Sequence, residues 1–439
     1  MKFVRNDMNI NTSRIKNIFI KTGFFSLILT LLVISFPRFI SLYTLAILIV
    51  SGIIIWTIDF QVCCTLFKKN WQIIIPPVIY FLIHFISIIL QKEKINNLET
   101  ELMFIMIPLF GISIFYNKLT ENRIHLVFKA FETGLILVSI FLLTRFLIIL
   151  LSTSKNEILF SEYFFKNNIN YVSTGFSALE HPSYLSLKLN FALLLLINFW
   201  DKWHSKKLIY WGLPIIFSVM IVLLASKAGI IMWIILMIVL IVKNTKSRLF
   251  HFYVYLILIH FLVLSIFFTV KYIERINFFI RYTKISLNTD NFDWKNLDQR
   301  TREWYAAIQL IKEKPVFGHG LAKVENRMVE EYKKNGWEEE ARLRFNAHNQ
   351  FLEAQMTFGI PGTLSLIWML ITPVLVRKRL KYPKLAVAFS AMMSFFLLFE
   401  SMFNRQWGIM FFMLFYCILL SQFSKNESET KNTVSNKLS

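Results

Sequence analysis

Charged residues are scarce in this chain. They make up 17% of its 439 residues, whereas 56% are hydrophobic and 45 are phenylalanine. This balance excludes an ordinary soluble domain and predicts an integral membrane protein. Apolar runs of about the length needed to cross a ~30 Å hydrocarbon core recur along the chain. Because backbone amides in lipid must be satisfied within the segment, we expect these runs to be helices and the fold class to be all-α.

Cysteines are also few. Cys63 and Cys64 lie at the end of the second apolar run, and Cys417 lies inside the last one. This spacing excludes a disulfide in the outer segments and a zinc site. No internal repeat is visible. The basic N-terminus and first apolar run resemble a secretory signal, but no small-residue cleavage site follows, so we predict an uncleaved first helix.

The apolar runs predict about twelve transmembrane helices, of which the seventh and eighth could be one. Their approximate spans are residues 22–36, 39–58, 72–90, 100–116, 126–151, 183–200, 208–225, 228–243, 249–270, 356–376, 384–400 and 406–422.

The distribution of lysine and arginine sets the predicted orientation. Basic residues collect in alternate short connections such as "FKKN", "DKWHSKK" and "RKRLKYPK", which we place inside together with both termini. The net charge of +21 therefore faces anionic inner-leaflet lipid and requires no nucleic acid. The predicted units are helices 1–9 in residues 1–270, an outer loop domain in 271–349, helices 10–12 in 350–422 and an inner tail in 423–439.

Three cations lie at one depth near the outer ends of predicted helices. They are Arg145, Lys188 and Lys227. Each could snorkel to the surface independently. Because ionisable residues in a membrane are costly and acidic residues nearby are scarce, the cluster favours a bound anion such as a phosphate or pyrophosphate.

The outer loop contains a predicted amphipathic helix on or near the membrane. Apolar residues repeat at helical spacing from Trp304 to Ile311, Asp298 is a plausible N-cap and Pro315 ends the run. Arg300 and Trp304 are four residues apart and share a face. Arg300 could reach back over the outer mouth of the helices, or it could be an ordinary solvated surface arginine.

The stretch "RFNAHNQFLEAQMTFGIPG" at 344–362 places polar groups at the outer entrance of the tenth span. An interfacial histidine such as His348 titrates near neutrality and can take a proton from a sugar hydroxyl. The alternative is a histidine that only caps the helix. Below it, the glycines and proline of Gly359–Gly362 should loosen the helix, which is tolerated where neighbours bind the backbone.

Two quoted stretches together resemble a known family. "RTREWYAAIQLIKEKPVFGHGL" and the later "AHNQFLEAQMTFGIPGTLSLI" look like the signature shared by the O-antigen ligase and O-antigen polymerase superfamily. "LEHPSYLSLKLNFALLL" at 179–195 resembles bacterial polysaccharide relatives. Similar proteins have about twelve helices and one large periplasmic loop.

The resemblance implies a metal-independent, inverting glycosyltransferase without a cofactor, in the bacterial inner membrane. Its donor would be an undecaprenyl-pyrophosphate-linked glycan, used on the periplasmic face. His348 matches the family's essential histidine and Arg300 the arginine four residues before the tryptophan. Where the family has Ser-Arg, this chain has Ser226 and Lys227, and lysine lacks the bidentate fork of arginine. The "HPSYL" match contains His181, to which we assign no chemistry.

These readings give one predicted site. His348 and Arg300 are expected to be catalytic, and no metal is expected. Residues expected to contact the pyrophosphate or glycan are Lys227, Arg145, Lys188, Asn349, His181 and Trp304.

The acceptor decides between two functions. A ligase transfers the glycan to lipid A core in lipopolysaccharide biosynthesis, whereas a polymerase joins it to another lipid-linked repeat unit. We favour the ligase because a single outer loop dominates. A transporter or flippase for lipid-linked glycan is a different class, which typically places ionisable groups near the midplane and shows repeats, and neither feature is present here.

Overall fold

The computed structural model describes residues 2–90, 101–112, 120–152, 174–203, 207–244 and 299–421. Every regular element in these ranges is a helix, which confirms the all-α prediction for the described chain. In chain order, α1 to α15 are Lys2–Leu32, Arg38–Ile58, Phe60–Leu90, Met103–Met106, Glu121–Ser152, Thr174–Ser177, Pro182–Trp203, Lys207–Leu224, Lys227–Asn244, Gln299–Glu313, Leu321–Lys334, Glu338–Leu343, Gln350–Leu375, Pro383–Leu397 and Gln406–Leu420.

Six helices in the described ranges are long and apolar enough to cross a membrane, and four shorter apolar helices accompany them. The six coincide with the first, second, third, fifth, sixth and tenth predicted spans, and the four with the seventh, eighth, eleventh and twelfth. The chain is therefore an integral membrane protein. The total of twelve and the outer loop stay predictions, since the ninth span, 249–270, and the tail, 423–439, lie outside the described residues.

The fourth predicted span is not one regular helix in its described part. After α4 the backbone continues as the π-helical segment Ile107–Ile112. Pro108 has no amide hydrogen to donate, so one helical hydrogen bond is missing there. The backbone can then adopt the wider turn of a π-helix. The indole of Trp56 donates to the Leu109 carbonyl at 2.9 Å. A side chain at Gly52 would collide with the Phe110 backbone, so α2 requires glycine at this close approach.

The predicted inner loop "FKKN" is not a loop in the structure. Residues 67–70 are helical, and α3 runs without a break from Phe60 to Leu90. The apolar pattern predicted a span only for residues 72–90, which are the later part of α3. No glycine or proline occurs between Phe60 and Pro76, so nothing in the local sequence ends the helix at the lysines.

Helix α7 lies at the centre of the bundle. Its membrane span is 94% buried, and it packs against α5, α8, α9 and α14. It carries buried polar side chains such as Ser186 and Asn190, which are stable within an apolar span only where protein surrounds and binds them. The Phe191 ring contacts Phe389 and Phe415 at centroid distances of 5.0 and 4.5 Å, which binds α7 to the C-terminal helices. The position of α7 in the bundle is thereby fixed.

A second, smaller core lies at the helix ends that the charge pattern predicts to be outside. Helices α10, α11 and α12 enclose Ala307, Leu310, Met328 and Tyr332, and this core packs against the start of α13. The predicted amphipathic helix is thus present, and it ends at Glu313, just before the proline. Its predicted N-cap, Asp298, lies outside the described residues.

Helix α13 is kinked at Gly359, whose φ is 66° and ψ is −153°. The carbonyls of Met356 and Thr357 accept hydrogen bonds of 2.8 Å from the amides of His319 and Gly320. Residues 314–320, which we call the docking turn, therefore supply the partners that the loosened helix lacks. The predicted loosening of this helix is confirmed. The stretch "GHG" at residues 318–320 has a structural role that the sequence alone did not show.

Substituting Gly359 with alanine should destabilise the protein strongly. Its backbone conformation is almost restricted to glycine, at a cost of about 1–3 kcal/mol for other residues, and a Cβ would collide with the Val316 carbonyl. Gly336→Ala is the matched control, because Gly336 also has a positive φ of 72° but has open space around its Cβ position. Thermal unfolding in detergent should show a larger loss for Gly359→Ala, and equal losses would contradict this account.

Candidate functional site

Several helix ends that the charge pattern places outside meet in the structure. The start of α10 carries Arg300, the residue before the α13 cap is His348, and Glu400 follows the end of α14. The first turn of α7 adds Ser183. We call these four residues with Glu303 the Glu400 cluster. Sequence positions from 183 to 400 are thus brought to one point.

The carboxylate of Glu400 is the centre of this cluster. The Arg300 guanidinium donates to its Oε1 at 3.2 Å, and the Ser183 hydroxyl donates to the same oxygen at 3.0 Å. Its Oε2 lies 3.2 Å from Nδ1 of His348. The residue is only 7% exposed, so its carboxylate has lost most of its bound water. The three donors replace the hydrogen bonds that this water would have made.

Arg300 is fixed at one edge and open at the other. Besides Glu400, its Nη1 donates to the carbonyl oxygens of His348 at 3.3 Å and Phe399 at 3.1 Å. The side chain still keeps 42% of its exposure. The structure therefore holds this guanidinium in place while leaving part of its surface accessible to a ligand. Arg300 and His348, which the sequence predicted to act together, are in contact.

His348 has a constrained backbone and a partly exposed ring. Its φ is 44°, a left-handed conformation that costs a non-glycine residue about 1–2 kcal/mol. The Asn346 side chain accepts a hydrogen bond from the His348 amide at 2.9 Å. Asn349, not His348, caps α13, accepting from the amides of Phe351 and Leu352. The imidazole is thus available for a role other than capping, whereas the Asn349 oxygen is occupied.

Glu303 lies one turn after Arg300, and its side chain is fully buried. Burial raises the pKa of Glu303 to about 7, against the lowering effect of the Arg300 guanidinium and of the Gln299 amide, which donates at 2.7 Å. The carboxyls of Glu340 and Glu400 raise it further. Its Oε1 is 4.0 Å from Nε2 of His348. The imidazole therefore has a carboxyl group facing each of its nitrogens.

Lys188 occupies a different environment from the one predicted. Its ammonium forms a 2.6 Å ion pair with Glu180 and donates to the Ile34 carbonyl at 3.0 Å. The residue is 1% exposed. The expectation that acidic partners are scarce is wrong at this position, because Glu180 lies just before α7 and folds back over its first two turns. Lys188 joins α7 to the end of α1.

The other predicted residues lie at the ends of several helices. Lys227 begins α9 and is exposed, next to Ser226, whose hydroxyl lies 3.5 Å from that of Ser183. Arg145 is partly exposed near the end of α5. His181 precedes α7, and its Nδ1 accepts from the Ser183 amide at 3.4 Å. Trp304 is partly exposed on α10.

Sequence reasoning missed the two carboxyl groups of the site. Glu400 is the sole acidic residue between Pro383 and Ser421, so the rule that flags ionisable residues in apolar segments also applies to it. That rule had been applied only to cations. Glu303 is three residues after Arg300 and shares its helix face, which was a second usable signal.

In the part of the chain that the structure describes, no group of three His, Cys, Asp or Glu side chains could hold a metal ion.

Comparison with known families supports the resemblance seen in the sequence. Residues 212–367 match the family model described as O-antigen ligase. The match includes Lys227, Arg300 and His348 and ends before Glu400. No curated protein matches the chain. The resemblance to the O-antigen ligase superfamily is confirmed for this segment, and it indicates a membrane glycosyltransferase of the ligase or polymerase type.

Glu303→Gln should flatten the dependence of stability on pH. Because the pKa of Glu303 is raised in the fold, its favourable contribution is complete below about pH 4.5 and is lost as pH rises through about 7. Glutamine keeps the shape and cannot ionise. Melting temperatures between pH 5 and pH 8 should therefore fall less in the variant than in the wild type.

The control is Glu313→Gln on the same helix. Glu313 is partly exposed, and its pairing with Arg327 lowers its pKa, so it is already ionised across this range. Its substitution should leave the slope between pH 5 and pH 8 unchanged. A wild-type slope in Glu303→Gln would show that Glu303 does not titrate in this interval.

Proposed function

We propose that the protein is an O-antigen ligase. It transfers a glycan from undecaprenyl pyrophosphate to a hydroxyl of lipid A core, on the periplasmic face of the bacterial inner membrane. The observation that carries the proposal is that Arg300 and His348 converge on Glu400, both within the segment that matches the family. A base beside a fixed cation is the pair that this reaction requires.

His348 acts on the acceptor in the proposed mechanism. Glu400 accepts a hydrogen bond from the N–H of Nδ1, which leaves the lone pair of Nε2 for the acceptor hydroxyl. The imidazole takes that proton as the acceptor oxygen attacks the anomeric carbon from the face opposite the leaving group. Glu400 then stabilises the imidazolium, because its carboxylate is already held in place by Arg300 and Ser183.

Arg300 and Lys227 act on the donor. Negative charge grows on the pyrophosphate as the bond to the sugar breaks, and fixed cations stabilise that charge without requiring a metal. Arg300 is suited to this role because its position is set by three protein acceptors while part of the guanidinium stays exposed. Lys227 is exposed beside Ser226 at the same end of the bundle. Lysine offers charge without a bidentate fork.

The remaining predicted residues receive different roles. We assign Arg145, His181 and Trp304, which are exposed or partly exposed, to contacts with the pyrophosphate or glycan. Lys188 is placed outside the ligand site, because its charge is already compensated by Glu180. We assign it instead to positioning the start of α7, which carries Ser183. Asn349 holds the start of α13 and with it the position of His348.

A deletion strain tests the proposal. His348→Ala and Arg300→Ala, expressed at normal levels, should each transfer glycan about 10²-fold more slowly or worse. Arg327→Ala is the control, because this arginine of the same segment forms exposed ion pairs with Glu313 and Glu330. It should complement fully. Wild-type transfer by either of the first two variants would refute the assignment.

The products in the same strain distinguish the acceptor. If lipid A core loses all glycan while long chains accumulate on undecaprenyl carrier, the protein is the ligase. Core that still receives one repeat unit, without long chains anywhere, identifies a polymerase, which uses the same donor chemistry. Labelled lipid-linked glycan should not be transported in vesicles, and transport there would favour a flippase.

Glu400→Gln should lower kcat with little change in KM for the donor. The amide keeps the side-chain shape but loses the charge that stabilises the imidazolium, so we expect a fall of about tenfold or more. The loss should not add to that of His348→Ala, because both act on one proton transfer. Ser394→Ala, a partly buried position on α14 away from the cluster, is the control. Additive losses would place Glu400 outside this step.

A further inference from the structure

The docking turn exposes large apolar side chains. Phe317 is 79% exposed and Val316 is 47% exposed, although the backbone around them is held firmly. Besides the two amide bonds to the kink, the Ile360 amide donates to the Val316 carbonyl at 3.0 Å. The Gln355 side chain donates to the Pro315 carbonyl at 2.7 Å. The outward direction of the phenylalanine is therefore set by the fold.

The position of the turn along α13 gives its depth. The basic turn Arg377–Arg379 ends the candidate span. About 20 residues are needed to cross a ~30 Å core, so counting back from Arg377 places the opposite boundary near residue 357. The docking turn binds the backbone of residues 356, 357 and 360 and the side chain of Gln355. It therefore lies at the predicted outer edge of the hydrocarbon core.

The apolar surface of the turn is continuous with a lipid-facing stripe. Ile360, Leu364, Ile367 and Ile371 recur at helical spacing on α13, and each is between 38% and 60% exposed. Such a stripe along a transmembrane helix is stable because acyl chains cover it. The hydrogen bond from Ile360 to Val316 joins the docking turn to the top of this stripe. The same lipid can cover both.

Two lysines lie where α10 meets the turn. Lys312, in the last turn of α10, and Lys314, the first residue of the docking turn, are both exposed. Lysines at the edge of the hydrocarbon core extend their ammonium groups to lipid phosphates while their stems stay in apolar surroundings. An aromatic tip with lysines next to it is the pattern of a segment at the lipid interface. The charge therefore also fits a membrane surface.

We propose that the docking turn is inserted in the outer leaflet, with Phe317 among the acyl chains, and that it anchors residues 299–347 to the membrane. Arg300 ties the start of α10 to Glu400, and the end of α10 leads into the docking turn. The helix therefore runs beside the first turns of α13 toward the bilayer. The length of α10, roughly 22 Å at 1.5 Å per residue, is the upper limit on the distance of Arg300 from the anchor. Because Arg300 binds the carbonyl of His348, nine residues before the predicted boundary near residue 357, it lies within roughly 14 Å of that boundary.

Spin labelling in liposomes tests the insertion. In full-length protein with Cys63, Cys64 and Cys417 replaced, a label at Phe317→Cys should collide readily with oxygen and rarely with a water-soluble nickel chelate. Leu364→Cys, 60% exposed on the stripe, is the lipid reference. Leu343→Cys, 44% exposed on α12, is the water reference. A label at 317 that behaves like the one at 343 would overturn the proposal.

A second measurement needs no cysteine replacement. Phe317→Asp in lipid nanodiscs should lower the melting temperature by several degrees, because a carboxylate at the hydrocarbon edge is costly. Phe317→Leu should melt with the wild type. If the side chain were in water, aspartate at so exposed a position would be neutral. An unchanged melting temperature for Phe317→Asp would thus contradict insertion, independently of whether the protein is a ligase.

Discussion

A buried carboxylate is stable only with donors around it, and Glu400 takes its donors from three separate parts of the chain. Arg300 reaches it from the start of α10, His348 from the entrance of α13 and Ser183 from the central helix. Each donor is itself fixed by its helix, so the carboxylate sets the spacing between them. The relative position of the two proposed catalytic groups thus depends on an acidic residue that need not contact either substrate.

The two carboxyl groups of the site differ in their effect on its charge balance. The cations that would attract a pyrophosphate also repel one another, and Glu400 offsets that repulsion for Arg300. A fully ionised Glu303 beside it would reduce the positive potential available to the proposed pyrophosphate donor. Burial raises the pKa of Glu303 to about 7 and so keeps this second carboxyl largely neutral below neutrality. Burial therefore tunes the field at the site.

The sequence predicted the level of the site better than its contacts. Apolar runs and the alternation of basic loops placed His348, Lys227 and Lys188 near one face, because both signals depend on the bilayer. They contain no information about which helix faces meet. Glu180 covers Lys188 only because α7 is surrounded by protein, and Glu400 meets His348 across 52 residues of chain. Such pairings are fixed by tertiary packing, which periodicity along a single helix does not report.

Local irregularities were predicted where the residue type dictates them. The glycine and proline near residue 360 indicated a loosened helix, whereas the lysines at 68 and 69 suggested a loop that the backbone does not make. A charge in a membrane protein marks a position relative to lipid, and does not by itself end a helix. Pro108 showed the reverse case, since its missing amide changed the winding of a segment that reads as plain apolar sequence.

The kink of α13 has a consequence for biosynthesis. Its carbonyls at 356 and 357 are bound by residues 319 and 320, which precede the helix in the chain. In the predicted orientation those residues are made first and are already across the membrane when α13 enters it. The amides that bind these carbonyls would therefore already be at the outer edge of the membrane when the kinked helix inserts. In a circularly permuted chain, in which α13 is synthesised before the docking turn, the same kink would have to insert with the carbonyls of residues 356 and 357 lacking hydrogen-bond donors.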